Sequence, residues 1–176
     1  MKKRLFCILL ALGMIAALAA CGDGGEDPSG TNTGGQTLST PNPDSYVFAV
    51  SSANGYIVKI NDNMADVLKV LGEPKSYYEA ASCAFEGMDK FYTYSGFQIT
   101  TEPGEGGKDY INSIRLMDDS VTTREGVHIG CSVDDVTAAY GEGRRMENVI
   151  RYTKGDSAMN FILEDGKVVS IEYLPA

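Results

Sequence analysis

Hydrophobic and polar positions divide this chain into three regimes. Residues 5–17 form an apolar run behind the basic cluster Lys2-Lys3-Arg4, and residues 22–45 show no apolar periodicity. From Tyr46 onward, period-two and 3.6-residue patterns alternate, which read as strands and helices respectively. Tyr46–Val50 and Tyr56–Ile60 predict two strands around Asn54-Gly55, a strong hairpin signal. Met64, Val67, Leu68 and Leu71 fall at i, i+3, i+4 and i+7, predicting a helix over 64–71. Asn61, Asp62 or Asn63 can cap it, and Gly72 with Pro74 stops it. Strands are expected at Tyr77–Ala80, Phe91–Tyr94, Phe97–Thr101 and Tyr110–Met117. In the last of these, Ile111, Ser113 and Arg115 alternate against Asn112, Ile114 and Leu116.

The pattern then recurs. Val127-His128-Ile129 echoes Val58-Lys59-Ile60 and reads as a strand, with His128 facing solvent. Ser132 caps a second helix, Val133–Tyr140, ended by Gly141 as Gly72 ends the first. At an offset of 69, Ile60, Asp66, Val67, Gly72 and Glu73 meet Ile129, Asp135, Val136, Gly141 and Glu142. Tyr94 meets Tyr152 at 58, Ile99 meets Phe161 at 62, and Ser113-Ile114 meets Ser170-Ile171 at 57. Asp165-Gly166 supplies a tight turn in the second copy. The expected fold is α+β: two tandem helix-plus-antiparallel-strand repeats, about 57–117 and 127–173, in one globular domain over 46–176. The first copy holds 11 extra residues within about Lys75–Asp89, and five more at the glycine-rich loop Glu102–Lys108.

The N-terminal regimes read as export and anchoring. The apolar run has the length of a secretory signal, shorter than a membrane span. Leu18-Ala19-Ala20-Cys21 has the form of a bacterial lipobox. Residues 1–20 are therefore expected to be a cleaved signal, with Cys21 the lipidated first residue of the mature chain. Acyl chains contribute about 0.8 kcal/mol per buried CH₂, so several chains on one cysteine make a stable anchor. Residues 21–45 read as a tether, rich in Gly, Ser, Thr, Pro and Asn, reaching roughly 25–30 Å. The domain then sits on the outer side of a bacterial membrane. Losing Lys2, Lys3 and Arg4 takes the net charge from −9 to −12, which argues against nucleic acid and against adhesion to anionic lipid.

The segment Met64-Ala65-Asp66-Val67-Leu68-Lys69-Val70-Leu71-Gly72-Glu73-Pro74 resembles the helix and Gly-x-Pro exit of the SmpA/OmlA (BamE-like) lipoprotein domains. Gly130 stands where that family has a glycine before its helix; the first copy has Asn61 there. Two such units in tandem resemble the architecture of the β-lactamase inhibitor protein, BLIP. The resemblance implies helices packed on one face of an antiparallel sheet, with the other face gripping a partner protein. It carries over no contact residue and does not imply enzyme inhibition.

Catalytic chemistry finds little support in the residues. Gly104-Glu105-Gly106-Gly107-Lys108-Asp109 resembles part of a P-loop, but Glu102 replaces its first glycine and Asp109 its Ser/Thr. His128 is the single histidine, so neither a metal triad nor a Ser-His-Asp set is assembled around it. Asp118-Asp119 reads as a turn, and Asp134-Asp135 as first-turn acids favoured by the helix dipole. No metal or cofactor is expected. Cys83 and Cys131 would close a 49-residue loop as a disulfide, about 4 kcal/mol in the chain-entropy model, or remain separate buried thiols. The functional expectation is a non-catalytic protein-binding module with an unidentified protein partner. An envelope enzyme, or an inhibitor of one, is the alternative. Tyr77, Tyr78 and Phe85, within the extra segment of the first copy, are the candidate partner-binding patch.

Overall fold

The computed structural model describes residues 44–176. The signal over 1–20, Cys21 and the tether as far as residue 43 lie outside the described residues. The last tether residue already belongs to the domain: Ser45 donates its hydroxyl to Asp156, and the Tyr46 N–H reaches Ser157 Oγ at 2.6 Å.

The chain opens with a hairpin of β1 (Phe48–Val50) and β2 (Tyr56–Val58). Asn54 and Gly55 take positive φ at its bend, as the Asn-Gly pair predicts. Helix α1 (Met64–Leu71) follows with the predicted bounds. Asn63 caps it, accepting the Ala65 N–H at 3.0 Å, while Met64 and Val67 are buried. Then come β3 (Ser76–Ala81), β4 (Met88–Thr93), β5 (Phe97–Pro103) and β6 (Asp109–Leu116). Helix α2 (Val133–Tyr140) also matches its predicted bounds and buries Val136. Its capping box is reciprocal: the Asp135 N–H reaches Ser132 Oγ at 3.2 Å, and the Ser132 N–H reaches Asp135 Oδ2 at 2.7 Å. The chain ends with β7 (Arg144–Met146), β8 (Val149–Lys154), β9 (Ser157–Glu164) and β10 (Lys167–Pro175).

This arrangement overturns the expected α+β fold of two helix-plus-strand repeats. The described residues are mostly β, 46% strand against 17% helical, with two α-helices and one large antiparallel sheet. Its order is β3-β4-β5-β6-β10-β9-β8-β7. The physical reason is the seam between β6 and β10. Leu116, Arg115 and Ile114 pair with Ile171, Glu172 and Tyr173, so the strands after each helix close into a single eight-stranded sheet. The two eight-residue helices bury only Met64 and Val67 of α1 and Val136 of α2, and form no layer of comparable size.

Two cross-strand rows make the core. One runs Tyr92, Ile99, Ile114, Tyr173, Met159, Tyr152, and the other Phe97, Leu116, Ile171, Phe161, Ile150. All are buried, and they join Phe48 and Val58 of the first hairpin, Met64 and Val67 of α1, and Val136 of α2 in one cluster. Both helices and the hairpin thus cover the same face of the sheet.

Two local expectations fail for identifiable reasons. Residues 127–129 are not a strand. The Thr123 N–H bonds Val127 O, the Val127 N–H bonds Thr123 Oγ1, and the Cys131 N–H returns to His128 O, so turns consume these backbone groups. Ile111 and Ile114 share the core face because the register shifts opposite Thr100/Thr101, leaving Asn112 as an extra residue. Gly72 and Gly141 end their helices as expected; with positive φ and ψ of −164° and −162° they lie in a region essentially restricted to glycine.

Candidate interaction surface

The face of the sheet away from the helices is a polar row. Thr93, Gln98, Arg115, Glu172, Asn160, Arg151 and Arg144 follow one another from β4 to β7. Arg115 Nη2 donates to Gln98 Oε1 at 2.8 Å, and Gln98 Nε2 to Thr93 Oγ1 at 3.0 Å. Arg151 donates to Asn160 Oδ1 at 3.2 Å and to the Pro175 carbonyl at 3.3 Å. These bonds fix the row without assembling a nucleophile and its base.

The β3 end of the sheet differs in kind. All six residues of β3 are exposed. Tyr77, Tyr78 and Phe85 keep 47, 52 and 49% of their surface in solvent, and Met88 stays exposed beside them. The strand forms by pairing with β4: Tyr77 lies opposite Tyr92 and Tyr78 opposite Phe91. Successive side chains alternate faces, so the two tyrosines point to opposite sides of the sheet. Tyr77 meets Tyr92 on the helix side at 5.0 Å between rings. Tyr78 stacks on Phe91 at 4.3 Å, with the planes 4° apart. Phe85 belongs to the turn between β3 and β4. The three predicted residues share an edge of the sheet; they do not share a face.

The Tyr77 hydroxyl donates to the Glu79 carboxylate. Its pKa is raised, by desolvation first and then by that hydrogen bond. Lys90, opposite Glu79, instead pairs with Asp109 at 2.8 Å, which raises the lysine's pKa. Beside Tyr77 a groove of about 450 Å³ opens between the end of α1 and the sheet, lined by Leu68, Gly72, Glu73, Pro74, Tyr77 and Tyr92. Sequence reasoning missed this groove, because it joins residues of α1 to residues of β4 through the β3–β4 pairing.

The remaining candidates resolve into structure. Cys83 and Cys131 are both free thiols, the first exposed and the second half-buried, so the bridge weighed from the sequence is not formed. Cys83 lies in the β3–β4 turn, whereas the Cys131 carbonyl accepts from Val168 of β10 at 2.9 Å. His128 Nδ1 lies 2.8 Å from the Ile129 carbonyl, and it is the backbone N–H of His128 that meets Cys131 Sγ, at 3.5 Å. The ring is thus engaged with backbone rather than with the thiol. Asp118 Oδ1 accepts from the Ser120 N–H and hydroxyl, as a turn carboxylate does. The P-loop-like segment is a short turn joining β5 to β6. Among the described residues no three of His, Cys, Asp and Glu are placed to hold a metal, and no helix is long and apolar enough to cross a membrane.

No protein-family model matches the chain, and no curated protein matches it. One solved structure is similar, a DUF4309 family protein (YjgB) from Bacillus subtilis subsp. subtilis str. 168. It shares 15% identity at a TM-score of 0.41, over 65% of this chain and 79% of that one.

Proposed function

We propose that this chain is a lipid-anchored, extracytoplasmic protein-binding module without catalytic activity of its own. The observation that carries the reading is the exposed aromatic edge formed by Tyr77, Tyr78 and Phe85. Each ring kept in water forgoes burial, and aromatic side chains of this size dominate interface energetics. Hydrogen bonding along the Arg115–Gln98 and Arg151–Asn160 row, and the engagement of the His128 ring with the Ile129 carbonyl, further favour binding over catalysis. In this reading Cys21 holds the anchor and the tether keeps the edge clear of the lipid.

Crosslinking from native membranes tests it. Wild-type chain should capture a specific protein, and Tyr77→Ala, Tyr78→Ala and Phe85→Ala should reduce that capture while the domain stays folded. Cys21→Ser should abolish incorporation of labelled palmitate. Capture that survives all three edge substitutions puts the site elsewhere, and palmitate labelling of the serine variant removes the anchor.

A further inference from the structure

We propose that β3 is a strand-addition site: it accepts an extended segment of a partner protein that carries apolar residues at alternate positions and a Lys or Arg beside them. This inference rests on the protein-binding reading above and specifies how that site works.

The first argument is the backbone. The Ser82 N–H donates to Gly87 O at 3.1 Å, and the Tyr94 N–H to Phe97 O at 2.8 Å. Bonding alternates along an antiparallel ladder. From these two anchors, the N–H and C=O groups of Ser76, Tyr78 and Ala80 turn toward β4, and those of Tyr77, Glu79 and Ala81 turn outward. Three consecutive ladder positions therefore face away from the sheet on a six-residue strand that is exposed throughout. Such an edge is a template for another strand.

The second argument is the distribution of the aromatic residues. A ligand lying flat on either face would touch Tyr77 or Tyr78 but not both. A strand added to the edge sends alternate side chains to both faces at once. On one side they meet Tyr78 and Phe91. On the other they meet Tyr77 and enter the groove lined by Leu68, Pro74 and Tyr92, whose volume of about 450 Å³ suits a leucine- or phenylalanine-sized group.

The third argument is charge. Glu73 stands in the groove wall, and Glu79 lies two residues from Tyr77 on the same side of the strand. Lys90 is held by Asp109, and Lys75 Nζ donates to Ser95 Oγ at 3.1 Å. A cationic residue two positions from the apolar anchor complements this rim. A second copy of the chain is a poor occupant. Its own Ser76–Ala81 strand has Glu79 and no cation, and two mature chains would each bring a charge of −12.

Selection of a phage-displayed library of random decapeptides on the detergent-solubilised mature chain tests the proposal. Enriched peptides should alternate apolar and polar residues, with Lys or Arg two places from an apolar one. Bound peptide should slow amide exchange at Tyr77, Glu79 and Ala81 and leave β7 unchanged. Glu79→Pro removes one outward N–H and disturbs its neighbours, so it should weaken binding about tenfold. Met146→Ala, at the opposite edge in β7, should leave binding unchanged. Failure to enrich any sequence, or binding that neither slows those three amides nor responds to Glu79→Pro, overturns strand addition. If Glu79→Pro does not fold, the exchange pattern of the wild-type chain decides. Sedimentation showing a dimer that Tyr78→Ala dissociates would assign the edge to a second copy and overturn the proposal. Should peptides fail while membrane crosslinking is lost on Arg115→Ala or Arg151→Ala, strand addition falls and the protein-binding reading stands. Failure of both removes both.

Discussion

The two edges of this sheet are made from the same beginnings and finish differently. At each, a helix ends on a glycine, and a tyrosine hydroxyl bonds that glycine's carbonyl, from just past the second strand beyond the helix at one edge and from within it at the other. Tyr94 reaches Gly72 O at 3.1 Å, and Tyr152 reaches Gly141 O at 2.8 Å. Between glycine and tyrosine the β7 edge needs only a three-residue strand and the turn at Glu147-Asn148. The β3 edge inserts 11 more residues, which lengthen the strand to six and the turn to residues 82–87. The core rows also end differently: Ile150 is flanked by Arg145 at β7, and Tyr92 by Tyr77 at β3. A short, charged strand blunts an edge against pairing, and a long apolar one invites it. Closing the core requires no more than the β7 version, so the added length of β3 calls for a reason outside the fold.

The sharpest way to break this comparison is to show that the edges do not belong to one sheet. Ile114 and Ile171 are fully buried on either side of the β6–β10 seam. Replacing either with alanine should cost about 2–5 kcal/mol in denaturant-induced unfolding. Each variant should still unfold in a single transition at every probe. A β7–β10 half that melts while β3–β6 stays folded would separate the edges into independent bodies.

The glycines at the two helix ends test whether both edges start from equivalent ground. Gly72→Val and Gly141→Val should each cost about 1–3 kcal/mol, since both backbones lie where only glycine is unstrained. A Cβ at either position would meet nothing within 4 Å, so the cost is conformational and should be nearly equal at the two sites. Melting temperatures that fall at one site alone would show that the two helix exits are not equivalent.

The sequence made the helices legible because their signals are local. Apolar spacing, Asn63 and Ser132 as caps, and Gly72 and Gly141 as stops all lie within a dozen residues, and both helix bounds came out as expected. The Tyr77–Ala80 strand and the Asp165-Gly166 turn were legible for the same reason; the turn joins β9 to β10 with both residues at positive φ. The sheet's continuity was not legible, since no residue of β6 or β10 declares which strand it will pair with. β7 was invisible because Arg144, Arg145 and Met146 are all exposed and leave no apolar alternation to read. Of the candidate surface, the aromatic content was in the sequence. The division of Tyr77 and Tyr78 between two faces, and the groove against α1, required the pairing with β4.

The finest test concerns the two tyrosine hydroxyls. The Tyr152 bond is shorter and half-buried, whereas the Tyr94 bond is exposed. At neutral pH, Tyr152→Phe should therefore cost about 1 kcal/mol and Tyr94→Phe about 0.5 kcal/mol. Both phenols titrate above their ordinary range, mainly through desolvation; Tyr94 is pushed up to about 12, with Tyr92 and Glu73 adding to the shift. An unfolded tyrosine ionises near pH 10. The folded state keeps the proton longer, so this contribution is fully present below about pH 10 and is lost as pH rises toward 12. Wild type should thus lose stability across that window faster than Tyr94→Phe, and the gap between them should close. The other tyrosines remain in both proteins and cancel in the comparison. A gap that stays constant from pH 9 to 12 in denaturant titrations would mean that the Tyr94 phenol is not held desolvated beside Tyr92 and Glu73, and that the β3 edge does not seat its tyrosine as the β7 edge does.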